Sequence, residues 1–82
     1  MRVRVVGSFV NVSVSEAEVR LWKTRWPGSG LPSRRITFQF DRDGSLIDIW
    51  PYWYADLFDG AAAVALSQDA QAYGLARLAR RR

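Results

Sequence analysis

Eighty-two residues make one domain, near the lower limit for folding without disulfides or metals. Cysteine and histidine are both absent, which removes disulfides, thiolate nucleophiles, cysteine–zinc sites and the commonest general base. The net charge of +4 owes three units to Arg80, Arg81 and Arg82; without them nine basic residues face eight acidic ones, leaving +1. A dedicated duplex binder carries its excess charge on a folded face rather than on a tail, so the charge alone is a weak nucleic-acid signal.

An apolar fraction of 49%, with 13% aromatic residues, points to a packed core rather than disorder. No apolar run approaches bilayer-spanning length, and the N-terminus lacks the apolar core of a signal peptide. The expectation is a cytoplasmic protein without membrane contact, with a domain over residues 1–79 and a basic tail over 80–82.

Residues 1–14 contain two valine runs of opposite phase. Val3 and Val5 alternate with Arg2 and Arg4, whereas Val10, Val12 and Val14 alternate with Asn11 and Ser13. A single strand would send the two sets to opposite faces; a hairpin turning at Gly7-Ser8 reunites them by pairing Val5 with Val10 and Val3 with Val12. A single strand bulged at Gly7 is the alternative. Ser15-Glu16-Ala17-Glu18 is a capping box that opens a helix running to about Arg25. Val19, Trp22 and Trp26 share one side of that helix, and Leu21 lies nearly opposite Val19, so contact on two sides is expected. Pro27-Gly28-Ser29-Gly30-Leu31-Pro32-Ser33 follows as a connecting loop; it lacks the strand, Lys-Ser/Thr and helix start of a phosphate loop.

The clearest signal is Ile36-Thr37-Phe38-Gln39-Phe40-Asp41-Arg42-Asp43-Gly44-Ser45-Leu46-Ile47-Asp48-Ile49-Trp50, a second hairpin. A two-residue Asp43-Gly44 turn pairs Phe40 with Ile47 and Phe38 with Ile49. A three-residue loop with Gly44 in a bulge sets Phe38 against Asp48 instead. The apolar alternation favours the shorter turn, which puts Ile36, Phe38, Phe40, Ile47 and Ile49 on one core face. Pro51 ends the strand, and Asp59 caps an alanine-rich helix starting near Ala61. Its stripe is Ala62, Leu66, Ala70 and Tyr73, with a kink or new segment expected at Gly74. The whole reads as an α+β fold of order ββαββα, a four-stranded antiparallel sheet with two helices packed on one face.

Few residues carry chemistry. Asp41, Asp43, Ser45 and Asp48 lack the third acid and bidentate glutamate of a calcium loop, so turn chemistry accounts for them and no metal is expected. Asp56 and Asp59 have no neighbouring nucleophile, so no catalytic set and no cofactor are expected. Trp22 and Trp26 read as core. Trp50 falls on the non-core face, and with Tyr52, Trp53 and Tyr54 it forms a candidate partner-binding surface. Arg2, Arg4, Arg34 and Arg35 are a candidate basic patch, extended by Arg80, Arg81 and Arg82, with Asp41 and Asp48 offsetting it on the same sheet.

Trp26-Pro27-Gly28-Ser29-Gly30-Leu31-Pro32, Phe40-Asp41-Arg42-Asp43-Gly44-Ser45-Leu46 and Ala65-Leu66-Ser67-Gln68-Asp69-Ala70-Gln71 resemble segments of small uncharacterised phage and prophage proteins of GC-rich proteobacteria. The resemblance implies a mobile-element setting, in which small proteins bind and disable host machinery, CRISPR effector complexes included. The expectation is therefore a non-enzymatic inhibitor of a host protein or ribonucleoprotein complex. A nucleic-acid-binding module and a homodimeric structural protein are the alternatives.

Overall fold

Two hairpins, each closed by a glycine with positive φ, build the sheet. The computed structural model describes residues 1–25, 33–50 and 61–80, with side chains of the last segment described from Val64 onward. Its elements are β1 (Arg2–Val6), β2 (Phe9–Val14), α1 (Glu16–Arg25), β3 (Ile36–Asp41), β4 (Leu46–Trp50) and α2 (Ala61–Arg80). The strands form one antiparallel sheet in the order β1-β2-β3-β4. This is the expected α+β architecture.

In the first hairpin Val3 pairs with Val12 and Val5 with Val10, as the opposed valine phases require. Gly7 has φ of 59° and Ser8 is not positive, the signature of a type II′ turn rather than type I′. Val10, Val12 and Val14 are fully buried, while Val3 and Val5, on the edge strand, are half-buried against the same core.

The capping box closes as read. The Glu18 amide donates to Ser15 Oγ at 3.2 Å, and the Ser15 amide donates to Glu18 Oε1 at 3.1 Å. The other oxygen of Glu18 pairs with the Met1 ammonium, tying the start of β1 to the first turn of α1. Burial raises the pKa of the Glu18 carboxyl. Bonds from that ammonium and from the backbone and side chain of Ser15 outweigh the burial and hold it below its ordinary value. A carboxylate lowered in the folded state stabilises the fold above its unfolded pKa, and that stability is lost as pH falls through the folded value. Glu18→Gln keeps the reciprocal cap but not the charge, so its stability should fall less steeply than wild type below pH 4.5 in acid-titrated thermal melts. Equal slopes would remove Glu18 from the acid response.

The second hairpin obeys both of its competing local signals. Gly44 N–H donates to Asp41 O at 3.1 Å and Asp41 N–H to Ser45 O at 3.0 Å, with Gly44 at φ 91°. This is the three-residue loop with a glycine bulge. Asp41 Oδ1 fastens it by accepting the Asp43 and Ser45 amides, both at 2.9 Å. Phe40 consequently pairs with Leu46, not with Ile47. A bulge then absorbs Ile47 and restores the register, so that Phe38 meets Ile49, Gln39 meets Asp48 and Thr37 meets Trp50. Ile47, expected in the core, is 45% exposed; Leu46 packs at the core margin instead.

α2 runs without interruption through Gly74, where a kink was expected. A Cβ at Gly74 would lie 2.8 Å from Val12 Cγ2 and 3.2 Å from Val10 Cγ1, so glycine lets the helix sit directly on β2. The buried stripe is accordingly Leu66, Ser67, Ala70 and Gly74; Tyr73, assigned to it from the sequence, is 38% exposed. Gln71 Nε2 donates to Gly44 O at 2.5 Å, which docks the β3–β4 turn beneath α2. In α1 Val19 is buried and Trp22 half-buried, whereas Leu21 is 65% exposed among the described residues. Trp26 lies outside the described residues. No described helix is long and apolar enough to cross a membrane.

Candidate partner-binding face

Both helices cover the valine side of the sheet, so strand alternation fixes the content of the other side. The registers arrange it in cross-strand rows. Arg2, Ser13, Thr37 and Trp50 form one row; Arg4, Asn11, Gln39 and Asp48 form the next; Val6, Phe9 and Asp41 form the last. Ser13 Oγ and Thr37 Oγ1 share a hydrogen bond of 3.2 Å, which fixes the middle of the first row. Trp50 ends that row 71% exposed, the largest exposed apolar side chain on this face among the described residues. Tyr52, Trp53 and Tyr54, grouped with it from the sequence, lie outside the described residues, as do Asp56 and Asp59.

The face is electrostatically polarised rather than mixed. Arg2 and Arg4 occupy one edge, and neither has an ion-pair partner among the described residues. The carboxylates stand on the far strands, three inter-strand steps or about 14 Å from Arg4 in the case of Asp48. They are also engaged: Asp41 holds the turn, and Asp48 Oδ1 accepts the Ile49 amide at 2.8 Å. At that separation, beyond the Debye length at physiological salt, Asp48 offsets the β1 arginines little. Arg34 and Arg35 are exposed immediately before β3, where Arg35 continues the alternation of Thr37 and Gln39. Arg80 is the last residue of α2, on the helix-bearing side, so it does not join Arg2 and Arg4. Arg81 and Arg82 lie outside the described residues.

Sequence reading passed over Val6 and Phe9. They are directly paired at the hairpin end and are 48% and 40% exposed on the open face. The Gly7-Ser8 turn alone would have placed them there, because the residues flanking the turn fall out of phase with the buried valines. Arg42 closes this end, its guanidinium donating to Gly7 O at 3.1 Å.

On the helix side a cleft of about 140 Å³ lies among Met1, Val14, Glu18, Trp22, Arg25 and Leu66. The Arg25 guanidinium stands 5.8 Å from the centroid of the Trp22 ring. Its one carboxylate is already committed to Met1 and Ser15, and its volume is well below the 300–1,000 Å³ of ordinary ligand pockets. Among the described residues no three His, Asp or Glu side chains gather where they could hold a metal ion. What the described surface offers is contact: an aromatic at one corner, an apolar pair at the opposite end, hydroxyls and amides between them, and cations along one edge. No protein-family model matches the sequence, and neither a curated protein nor a solved structure shows significant similarity to it.

Proposed function

We propose that this protein is a non-enzymatic binding protein that occupies a surface of a larger host assembly, protein or ribonucleoprotein, and presents the helix-free face of its sheet to it. The observation that carries the reading is Trp50, 71% exposed at the end of a row otherwise made of Arg2, Ser13 and Thr37. An exposed tryptophan beside arginine is the side-chain combination enriched at the centres of protein interfaces. The exposed Val6–Phe9 pair extends the contact to the opposite end of the face. The resemblance to phage and prophage proteins supplies the setting: action in the host cytoplasm by blocking a complex, an anti-CRISPR role being its most specific form.

The test is capture from a proteobacterial host lysate followed by binding to the purified partner. Trp50→Ala should weaken that binding by about 30-fold or more, a loss of roughly 2 kcal/mol, while leaving the melting temperature unchanged. Equal binding by wild type and variant would overturn the reading. A nucleic-acid module is the second reading, favoured by Arg2 and Arg4, which have no ion-pair partner among the described residues and share a face with Trp50. It requires a mobility shift that weakens steeply with added salt.

A further inference from the structure

The two edges of the sheet are not equivalent. In a hairpin with a two-residue turn, the residues flanking the turn form a hydrogen-bonded pair and the pairs then alternate. Val6–Phe9 is such a pair, so Arg4 and Arg2 also turn their backbone groups toward β2. Val3 and Val5 therefore turn their N–H and C=O groups outward. The same alternation carried across the sheet places Asp41 N–H on Ser45 O and leaves Ile49 N–H pointing out from β4, and both are observed.

At β4 the outward edge is blunted. Ile47 is bulged, and the Asp48 carboxylate occupies the Ile49 amide. At β1 nothing comparable is present among the described residues: no bulge, no proline, and no side chain or backbone bond on the outward groups of Val3 and Val5. An unblunted, regular edge is a template for an added strand.

We infer that the free edge of β1 is a docking site for an extended acidic segment of a partner protein, which adds to the sheet as a fifth strand. The chemistry selects this occupant. In an antiparallel addition, Val3 and Val5 make the hydrogen-bonded pairs, so the residues opposite Arg2 and Arg4 stand in the non-hydrogen-bonded positions, where side chains approach most closely. Carboxylates there meet two arginines that have no ion-pair partner among the described residues. Residues opposite Val3 and Val5 fall on the helix side, beside half-buried valines already packed on the core, and are apolar. A second copy of the chain fits poorly. The register of fullest overlap between two β1 strands is centred on Arg4 and sets the two copies of that arginine directly against each other. The Met1–Glu18 ion pair holds the start of β1 in place for the addition. This site shares Arg2 and Arg4 with the open face but rests on the outward backbone groups of β1, at the sheet edge opposite Trp50, and does not depend on that tryptophan.

The probe is an acetylated, amidated eight-residue peptide alternating Glu with Val or Thr, titrated into the full chain at low salt with backbone amides followed by NMR. Saturable binding below about 1 mM, with slowed exchange at Val3 and Val5 and little change at β4, is the expected result. The Lys counterpart of the peptide should bind about fivefold or more weakly, and Arg2→Glu combined with Arg4→Glu should reverse the order. Both substitutions are on exposed strand positions, and Trp50→Ala should bind the acidic peptide as wild type does. Absence of binding, equal binding of a shuffled peptide, or protection mapping away from β1 would overturn the proposal. Concentration-dependent protection of Val3 and Val5 without peptide would also overturn it, by giving the edge to a second copy.

Discussion

Phe38→Ala should lower the free energy of unfolding by about 3–5 kcal/mol, read by urea or thermal denaturation. Phe38 sits on an inner strand, 2% exposed, opposite Val12 on one side and Ile49 on the other. Its ring stacks on Phe40 with centroids 6.3 Å apart, so truncation removes transfer free energy and leaves a cavity against a neighbour that cannot swing in without breaking its own packing. A chain of 82 residues has a total stability of roughly 4–12 kcal/mol, so the loss is a large share of what holds it folded. Ile47→Ala is the control. In an uninterrupted two-residue hairpin Ile47 would face Phe40 and the substitution would cost about 2–5 kcal/mol; in the bulge, 45% exposed, it should cost under about 1 kcal/mol. A large loss at Ile47 together with a small one at Phe38 would mean that the register is wrong.

Those two residues also mark where the sequence was readable. Opposed phases in the first hairpin left two solutions, a turn at Gly7-Ser8 and a single strand bulged at Gly7, and the valine pairs follow the first residue for residue. In the second hairpin two local signals disagreed. Asp41, Asp43 and Gly44 specify a three-residue loop, while the apolar alternation specifies Phe38 against Ile49. Choosing between them gave the wrong place to Ile47, because the chain satisfies both by inserting it as an extra residue. Whether a bulge is tolerated depends on what lies above it, here Gln71 and Leu75 of α2 against Gly44, and that information is not local. The open face was legible in part. Trp50 could be assigned to it from register alone, but the separation of Arg2 and Arg4 from Asp41 and Asp48 needed the strand order, since all four are simply outer-face residues until β1 is known to be an edge two strands from β3 and three from β4.

Gly74→Val should destabilise the protein by about 3 kcal/mol or more, and Gly74→Ala by about 1 kcal/mol, the reverse of the gain that alanine gives on an exposed helix surface. Helix propensity alone favours alanine by about 0.8–1.0 kcal/mol, which is why glycine inside a helical pattern reads as a break. The contact decides otherwise. A Cβ 2.8 Å from Val12 Cγ2 is closer than packed carbons tolerate, and the methyl it meets belongs to a β-branched side chain with little rotameric freedom on an inner strand. Relief must come from lifting α2 off β2, which loosens Leu66, Ala70 and the Gln71 bond to Gly44 together. The measurement is a pair of denaturation curves with helix content checked by circular dichroism in the folded baseline. A stabilised Gly74→Ala would show that α2 does not press on Val12 and Val10, and the close seating of helix on sheet would have to be abandoned.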